Sequence, residues 1–478
     1  MAVGARIIGS PARVVVREIS CDSREVTPET LFVCVLGEHT DGHIHAAEAV
    51  KRGATALLVE RRLDIPIPQL IVDDSRYSMG VAADAIYGMP TKDIDVAGVT
   101  GTNGKTTTSF LVYAILAAAG RRPGLLGTIE QRVGGERRAS VRTTPESSAL
   151  HQLIAEMRDA GDRSCAMEVS SHASALRRLS GVRFRALAFT NLTQDHLDFH
   201  HSMEAYYQVK KSPFFEVYED GNRPAAAVNI GDQYGKRLAQ ELINAGVRPL
   251  CFAMEESSDL TPDEFEIGSS GTQLVIEGIE IKSHLLGRFN AENLLAAFAV
   301  ARLLEVPLEA IKRGLEHVRG VPGRFEVIPH SQDFTVIVDY AHTPDAITTV
   351  LNSARAICDA SLICVFGCGG ERDSSKRAPM GEAVSNLADQ VIVTSDNPRS
   401  ERPEGIIEDI LEGVCGEVEV ELDRRIAIKK SLDKAQSGDV VVIAGKGHEA
   451  GQEVNGRVLP FDDCEVASEY LAPGIKEA

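Results

Sequence analysis

The sequence predicts an α/β protein of three domains with mostly parallel sheets, and three observations lead to this prediction. The 478 residues are too many for one hydrophobic core, since a domain averages about 150 residues. Short apolar runs alternate with amphipathic stretches, as in parallel sheets whose strands are joined by helices. One apolar run is followed by a glycine-rich loop and an amphipathic segment, in the order strand, anion-binding loop, helix.

We place the domains at residues 1–92, 93–325 and 326–478. The second boundary follows from the breaker sequence Gly-Val-Pro-Gly-Arg at 320–324. In the last domain, continuous apolar runs predict a buried parallel sheet of the Rossmann-like kind. These runs are residues 334–338, 362–366, 391–394 and 440–444.

The N-terminal domain has weaker signals. The runs 14–16 and 31–35 predict strands, and a helix is expected to begin at Ala46 and to end near Gly53. In the central domain, the acidic stretch 255–266 predicts a solvated loop.

Composition narrows the possible functions. The formal charge of −19 and the pI of about 5.2 argue against nonspecific binding of nucleic acid or of an anionic membrane. No run approaches the ~20 apolar residues of a membrane span, and the N-terminus lacks the apolar region of a signal peptide. Nine scattered cysteines without a C-x-x-C pair favour free thiols in a cytoplasmic protein.

The glycine-rich loop at 101–107 predicts nucleotide binding. Its form is G-x-x-G-K-T, because Val99 occupies the place of the first glycine in the longer G-x-x-x-x-G-K-[ST] motif. Its amides and the helix N-terminus would hold phosphate, Lys105 would reach the outer phosphates, and the Thr106 hydroxyl would bind Mg²⁺. The predicted nucleotide-binding residues here are Gly101, Thr102, Asn103, Gly104, Lys105, Thr106 and Thr107. The central domain is therefore predicted to be a P-loop-type ATPase domain.

Two polar groups follow apolar runs in the same domain. Glu168 ends one run, and His196 follows another. Each alone is explained as a surface acid or an ordinary polar histidine, but beside a Gly-Lys-Thr loop they suggest an Mg²⁺ site. Because Mg²⁺ prefers oxygen ligands, a carboxylate fits better than an imidazole.

The C-terminal domain has three polar loops at the predicted ends of its strands. They are residues 367–373, 395–399 and 445–449. Ligands bind at the carboxyl ends of parallel strands, so these loops are expected to converge on one site.

The ordered motifs of the whole chain resemble those of the Mur ligases, ATP-dependent amino-acid ligases of peptidoglycan synthesis. The resemblance is strongest to the branch that adds the third residue of the stem peptide. The motifs are DSR (22–24), DGH (41–43), GTNGKTT (101–107), TTP (143–145), MEVSSHA (167–173), TNLTQDHLDFH (190–200), GRFNAENLLAA (287–297), GRFE (323–326), DYAHTPDA (339–346), FGCGGERD (366–373), DNPR (396–399) and GKGHE (445–449).

This resemblance implies a domain for the UDP end of the acceptor, a central ATPase and a mobile C-terminal domain. The implied acceptor is UDP-N-acetylmuramoyl-L-alanyl-D-glutamate, ATP and Mg²⁺ are the implied cofactors, and a monomer is the default expectation. The matching positions are Ser23, His39 and Thr40 for the uridine nucleotide; Thr143, Thr144, Ser170 and Arg178 for the muramoyl dipeptide; and Asn290, Arg324, Asp339 and His342 for ATP.

The resemblance also implies a catalytic and metal-binding group. Lys210 matches the family's carbamoylated lysine, which would act as an anion toward Mg²⁺, and Lys211 beside it is a competing candidate. Lys105, Glu168, His196 and Lys210 are the predicted catalytic residues; Thr106, Glu168, His196 and the Lys210 carbamate are the predicted metal ligands.

Two positions depart from the family pattern. Leu176 stands where some relatives carry a glutamine that contacts substrate. Pro213 interrupts the segment after Lys210, so the helix is expected to be disturbed just beyond that lysine.

The incoming amino acid is predicted from charge. meso-Diaminopimelate carries a distal carboxylate that lysine lacks, and an arginine binds a carboxylate through two parallel hydrogen bonds. The DNPR form is also associated, within the family, with diaminopimelate. The predicted contacts are Arg372, Asp396, Asn397, Pro398, Arg399, Gly445 and Glu449.

Four other functions stay open at the level of sequence. They are an L-lysine-adding ligase of the same family, a folylpolyglutamate-type ligase, a nucleotide-binding regulatory protein without ligase activity, and a plain ATPase. The complete N-terminal domain and the DNPR motif argue against the folyl alternative. A regulatory protein would be expected to have lost Lys105, Glu168, His196 or Lys210, and all four are present.

Overall fold

The computed structural model describes residues 5–9, 14–37, 40–268 and 270–472. Three main sheets follow one another along the chain, each with helices packed on it. The predicted α/β class with mostly parallel sheets is confirmed. The domain boundaries at 92/93 and 325/326 stay a prediction.

The first sheet has the order β1-β5-β4-β3-β2, in which β1 is antiparallel and the other pairs are parallel. Its strands are β1 (Arg6–Ile8), β2 (Glu18–Ser20), β3 (Thr30–Val33), β4 (Ala54–Val59) and β5 (Gln69–Ile71), and its helices are α1 (Ala46–Arg52) and α2 (Ser75–Ile86). Gly53 ends α1 as expected, in the left-handed conformation.

The predicted strand at 14–16 is wrong. These valines pair with no strand, and Val15 is exposed. The strand lies four residues further on, where Ile19 is buried opposite Leu31 in the pairing of β2 with β3. A run of β-branched residues indicates an extended chain, but a strand also needs a partner.

The central sheet has eight strands in the order β13-β12-β11-β6-β10-β7-β8-β9, of which β8 and β9 are antiparallel additions. The strands are β6 (Asp95–Thr100), β7 (Pro123–Leu126), β8 (Glu130–Val133), β9 (Glu136–Ala139), β10 (Ser164–Glu168), β11 (Phe184–Phe189), β12 (Ala225–Asn229) and β13 (Leu250–Phe252). The helices of this part of the chain are α3 (Lys105–Ala118), α4 (Ser147–Ala160), α5 (Ser171–Ala175), α6 (Leu197–His200), α7 (Met203–Lys211), α8 (Gln233–Asn244), α9 (Arg288–Leu303) and α10 (Leu308–His317).

One face of the central sheet is covered by α3 and α9. Helix α9 is buried over most of its length, and α10 packs closely on α3. At their contact a Cβ on Gly314 would lie 2.4 Å from the Ile115 Cα, so only glycine fits there. This packing fixes the start of α3, and therefore the glycine-rich loop, relative to the sheet.

A small antiparallel sheet lies beside the central one. It contains β14 (Glu264–Gly268), β15 (Gly271–Ile276) and β16 (Ile279–Ser283). The predicted loop at 255–266 is therefore partly wrong, because its last residues belong to β14. The polar residues of β14 are exposed, which accounts for the polar sequence of that strand.

The C-terminal sheet has the order β17-β18-β22-β19-β20-β21, with β17 antiparallel at one edge. Its strands are β17 (Glu326–Val327), β18 (Thr335–Asp339), β19 (Leu362–Phe366), β20 (Gln390–Val393), β21 (Glu419–Val420) and β22 (Val440–Ala444), followed by the hairpin β23 (Gly451–Val454) and β24 (Arg457–Pro460). The helices are α11 (Pro344–Arg355), α12 (Arg377–Leu387), α13 (Pro403–Leu411), α14 (Arg424–Lys434) and α15 (Asp463–Leu471).

The four strands predicted here are confirmed to within one residue. Their side chains are almost all buried, because helices cover both faces of the parallel sheet. The carboxyl ends of β19, β20 and β22 carry the predicted polar loops. All nine cysteines are free thiols, and none of the described helices is long and apolar enough to cross a membrane.

Candidate functional site

A cavity of about 460 Å³ lies between the central sheet and the C-terminal unit. Its central wall consists of the glycine-rich loop and the carboxyl ends of the neighbouring strands, and its other wall is the start of α11 with the loop before it. Residues separated by more than 200 positions in sequence therefore face one another. Predicted site residues on its walls include Lys105, Glu168, His196, Lys210, Arg324, Asp339 and His342.

The glycine-rich loop joins β6 to α3. A Cβ on Gly101 would lie 1.9 Å from the Thr190 hydroxyl oxygen, and a Cβ on Gly104 would lie 2.3 Å from Asn293 Oδ1. Both glycines also have positive φ angles, +152° and +84°. Val99 is fully buried within β6, so the longer glycine spacing is absent because that position belongs to the strand rather than to the loop.

Lys105 begins α3 and lies in the cavity wall. Its ammonium donates hydrogen bonds to the carbonyls of Gly101 (3.0 Å) and Thr102 (2.8 Å). Burial, reinforced by Arg324, lowers the pKa of Lys105, whereas Glu168 acts in the opposite direction. A cation held in these surroundings is stabilised by a polyanion such as a triphosphate.

Glu168 and Thr106 form a cluster of oxygen atoms. The Thr106 hydroxyl donates to Glu168 Oε2 at 2.9 Å, and the Thr128 amide donates to Glu168 Oε1 at 2.7 Å. The Glu168 side chain is buried. One carboxylate with an adjacent hydroxyl fits Mg²⁺, which takes few protein ligands and keeps waters or substrate oxygens. Among the residues described, no three His, Cys, Asp or Glu side chains converge on one metal position.

Of the two candidate lysines, Lys210 faces the cavity and Lys211 does not. Lys210 is buried and lines the cavity, and its Nζ donates to the Gly101 carbonyl at 2.6 Å. Lys211 points elsewhere and pairs with Glu241 at 2.8 Å. Burial, with the nearby Lys105 ammonium, lowers the pKa of Lys210 well below its usual value. Helix α7 ends at Lys211 and a 3₁₀ turn containing Pro213 follows, so this proline does not distort the helix at Lys210.

His196 has a left-handed backbone, with φ +54°, just before α6. Its ring packs edge-on against His172 at 4.8 Å, and its Nε2 lies 3.3 Å from Asp195. Burial lowers the pKa of His196 to about 4, although Asp195 opposes that shift. The ring is therefore neutral at pH 7, so one of its nitrogens can donate a hydrogen bond and the other can accept one.

The residues predicted to contact the dipeptide are close together. The Thr144 hydroxyl accepts from the Ser170 amide (3.2 Å) and donates to the Glu168 carbonyl (2.8 Å). The Arg178 guanidinium lies 2.9 Å from Glu146 and donates to the Thr144 carbonyl. Thr143, Thr144, Ser170 and Arg178 all line the cavity. Leu176 ends α5 and has no polar group to replace the glutamine of relatives.

The predicted ATP contacts differ in their placement. Arg324 donates to the Thr106 hydroxyl at 3.3 Å, and its guanidinium lies over the Tyr340 ring. Burial raises the pKa of Asp339 to about 6, and it lowers that of His342 to about 4. Asn290 is buried under the wall, where its Nδ2 donates to the Leu286 carbonyl; the neighbouring Asn293 lines the cavity instead.

The predicted uridine contacts belong to the first sheet and do not line this cavity. Ser23 is buried in the turn that begins at Asp22, and Thr40 is exposed beside Gly37. His39 lies outside the described residues. The nearby DGH motif has a structural role: His43 is buried and lies 2.6 Å from Asp41.

A second polar cluster occupies the carboxyl ends of β20 and β22. Asn397 Nδ2 donates to Glu449 Oε2 at 2.7 Å. Arg399, which has a left-handed backbone (φ +53°), donates to the Gly370 carbonyl at 2.6 Å. Asp396 is buried beside Gly445, and Arg372 is exposed on the neighbouring loop. The predicted convergence of the three loops is therefore observed.

Tyr340 lies between the cavity at the glycine-rich loop and the second polar cluster. Its hydroxyl lies 3.5 Å from Glu449 Oε1, and its ring supports the guanidinium of Arg324, which contacts Thr106. The second cluster is thus connected to the phosphate loop through two side chains, Tyr340 and Arg324.

Sequence reasoning missed several residues at these sites. Thr128 had a usable signal, because it follows the parallel strand β7. Tyr340 and Asn293 lie within motifs of which the sequence predicts only neighbouring residues as site residues. The missed residues are Thr128, Arg142, Asn293 and Tyr340 at the cavity, and Lys446 and Glu453 at the second cluster.

The cavity combines a glycine-rich loop and an adjacent carboxylate with a Rossmann-like unit on its other side. These features define an enzyme that uses a nucleotide between two facing units. Three successive stretches match families of one kind: residues 15–90 match "Mur ligase family, catalytic domain", 99–301 match "Mur ligase middle domain", and 323–447 match "Mur ligase, glutamate ligase domain". The chain belongs to the Mur ligase family and is an ATP-dependent ligase that forms an amide bond.

Relatives with assigned names span nearly the whole chain. UDP-N-acetylmuramoyl-L-alanyl-D-glutamate–2,6-diaminopimelate ligase of Aquifex aeolicus is 43% identical over 462 residues, covering 95% of this chain and 94% of its own. The enzyme of the same name from Syntrophomonas wolfei is 42% identical over 470 residues, covering 96% and 95%.

Solved structures agree with this assignment. A structure of a 2,6-diaminopimelate ligase of that name has a TM-score of 0.69 and 31% identity, and covers 95% of this chain and 94% of its own. A MurF ligase from Thermotoga maritima in complex with ADP has a TM-score of 0.63 over 96% of this chain and 97% of its own. At 19% identity, the MurF likeness shows the fold alone.

Proposed function

We propose that this protein joins meso-diaminopimelate to UDP-N-acetylmuramoyl-L-alanyl-D-glutamate, using ATP, as a cytoplasmic step of peptidoglycan synthesis. The observation that carries the proposal is the pair of connected sites: a phosphate-binding cavity and a cluster of opposite charges, joined by Tyr340. The names of the relatives at 42–43% identity support the choice of substrates.

The chemistry begins by activating the acceptor carboxylate. Its oxygen attacks the γ-phosphorus of ATP, the bond to the β-phosphate oxygen breaks, and ADP leaves. The acyl phosphate that forms has phosphate as a leaving group, whereas a free carboxylate would have to expel oxide. The amine of the amino acid then attacks the carbonyl carbon, phosphate departs, a proton is released, and the amide remains.

The side chains of the cavity fit these steps. Lys105 and Arg324 would hold the γ-phosphoryl group and offset the negative charge of its transfer. Thr144, Ser170 and Arg178 would hold the dipeptide end of the acceptor. Thr106 and Glu168 would hold Mg²⁺, which when bound would neutralise phosphate charge. Because three substrates must meet, proximity contributes much of the rate.

We also propose that Lys210 reacts with CO₂ to form a carbamate. The lowered pKa of Lys210 favours the neutral amine, whose lone pair forms the N–C bond while a proton is released. The product would be an anion near the Lys105 ammonium, and its two oxygens would suit Mg²⁺.

The cluster at β20 and β22 would bind the amino acid. Asp396 and Glu449 supply negative charge for amino groups, and Arg399 supplies a fork of N–H donors for a carboxylate. The Nε of Arg399 already lies 3.3 Å from Glu453, and one Nη donates to Gly370, so its guanidinium is held in place. We infer that Arg399 binds the distal carboxylate, which L-lysine does not possess.

The function is tested by measuring phosphate release with ATP, Mg²⁺ and the acceptor. We expect release with meso-diaminopimelate and little with L-lysine. Release with L-lysine but not with meso-diaminopimelate would mean that the protein is a ligase whose amino-acid substrate is L-lysine. Release without any amino acid would mean a plain ATPase.

Replacing Arg399 tests the choice of amino acid. In Arg399→Ala we expect the KM for meso-diaminopimelate to rise about 10- to 100-fold, since a hydrogen bond to a charged group contributes about 1.5–3 kcal/mol. The KM for ATP should stay within about twofold, and Arg399→Lys should recover little, because lysine lacks the fork. Arg402→Ala, an exposed arginine three residues on, is the matched control. Equal increases in the KM for meso-diaminopimelate and the KM for ATP would contradict the assignment of Arg399 to the distal carboxylate.

A further inference from the structure

Lys446 is a fully buried lysine for which the chemistry above has no use. It follows β22, between Gly445 and the Glu449 carboxylate, and its side chain is 0% exposed. Its ammonium donates to Asn397 Oδ1 at 3.1 Å and to the Gly451 carbonyl at 2.6 Å, and it lies 3.5 Å from Glu449 Oε2. Burying a charge is costly unless the charge is fully paired, so this arrangement calls for a role.

The first effect of Lys446 is on the orientation of Asn397. A side-chain amide can sit in two orientations that exchange its oxygen and nitrogen. Here the oxygen faces two groups that can only donate, the Lys446 ammonium and the Glu453 amide (2.9 Å). The Asn397 nitrogen consequently faces Glu449 Oε2 at 2.7 Å. Reversing the amide would place N–H groups against N–H groups.

The second effect is on Glu449. Asn397 and Lys446 both approach its Oε2, while Oε1 lies near the Tyr340 hydroxyl. The carboxylate is thus held by a donor and a nearby positive charge on one side. Its remaining lone pairs are available to an ammonium group of a ligand.

Lys446 also ties three separate segments together. Asn397 belongs to the loop after β20, Glu449 to the loop after β22, and Gly451 to the hairpin strand β23. The backbone of Arg399 joins the same hairpin through its amide, which donates to the Glu453 carbonyl at 3.0 Å. A single ammonium therefore fixes the geometry of the whole cluster.

We propose that Lys446 is a positioning residue of the amino-acid site: its buried ammonium fixes the Asn397 amide and the Glu449 carboxylate so that they present a donor and an acceptor to the zwitterionic end of the incoming amino acid. This rests on the proposed function, since it specifies how the same site recognises its ligand. Lys446 itself touches no substrate in this role.

The test is the variant Lys446→Met, which keeps most of the side-chain volume and removes the charge. We expect the KM for meso-diaminopimelate to rise about tenfold or more, with the KM for ATP and the KM for the UDP acceptor within about twofold of the wild type. Lys446→Gln, which retains a donor, should show a smaller rise. If Lys446→Met fails to fold, the Lys446→Gln comparison carries the test.

Asp439→Ala is the control for lost stability. Asp439 is buried at the amino end of β22, the opposite end of the strand that Lys446 follows, and it accepts from the amides of Ser361 and Gln436 (2.8 Å each). We expect it to lower the Tm without changing the KM for diaminopimelate. If Lys446→Met or Lys446→Gln behaves like Asp439→Ala, or if all three KM values rise together, the positioning role is overturned.

A double-variant cycle separates positioning from direct binding. If Lys446 acts through Asn397, Lys446→Met combined with Asn397→Ala should raise the KM no further than the worse single variant. Multiplicative effects would contradict the proposal. A wild-type enzyme without diaminopimelate-dependent phosphate release would instead refute the proposed function, so the two failures are distinguishable.

Discussion

Lys105→Ala is expected to reduce ligation by about 10³-fold or more, measured as kcat/KM in the phosphate-release assay. Removing one preorganised donor from a charged transition state costs about 10²–10³ in rate, and Lys105 also binds the ground-state nucleotide. The loop itself should persist, because the Asn103 amide still donates to Asn191 Oδ1 and the Asn103 carbonyl still accepts from the Thr190 hydroxyl.

Stability provides the check on this prediction. Burial lowers the pKa of Lys105, so the folded state holds its charge at a cost, and the Tm of Lys105→Ala should not fall. Lys236→Ala removes an exposed lysine of the same domain and should keep full activity. Turnover of Lys105→Ala near that of Lys236→Ala would exclude the loop as the phosphate site.

The second large effect is expected at Lys210. In Lys210→Ala we expect activity to fall by about 10²–10³-fold, because the carbamate that would help to hold Mg²⁺ cannot form. Lys211→Ala is the matched control, since Lys211 is the next residue but pairs with Glu241 away from the cavity. Its activity should stay near that of the wild type.

The carbamate can be observed directly. After incubation with ¹³C-bicarbonate, the wild type and Lys211→Ala should show a carbamate carbon signal by NMR, and Lys210→Ala should show none. A signal that persists in Lys210→Ala and disappears in Lys211→Ala would move the modification to Lys211. No signal in any of the three proteins would refute carbamoylation.

Much of the fold could be predicted because its signals are local. The C-terminal strands are continuous apolar runs, and burial on both faces requires that pattern. The strand β2 could not be predicted, because its three-residue sequence is a weak strand signal and its position depends on pairing with β3. The valines at 14–16 have strong strand propensity but no partner.

The residues of the site likewise fall into those that local sequence predicts and those that only the folded chain brings together. The glycine-rich loop could be found from its spacing, since its glycines are required by local close contacts. Which of Lys210 and Lys211 faces the cavity depends on the rotation of α7, which the sequence around it does not fix. The choice between Asn290 and Asn293 likewise depends on the rotation of α9. The role of Lys446 could not be predicted, because its partners come from three segments that meet only in the folded protein.

Two of the residues at these sites, His196 and Arg399, have the left-handed backbone described above, at φ +54° and +53°. A residue with a Cβ loses about 1–2 kcal/mol in that conformation, whereas glycine loses almost none. Selection for thermal resistance alone would therefore favour glycine at both positions and would discard the imidazole and the guanidinium. We therefore expect variants stabilised in this way to lose activity, and a programme to stabilise this enzyme should hold both positions constant.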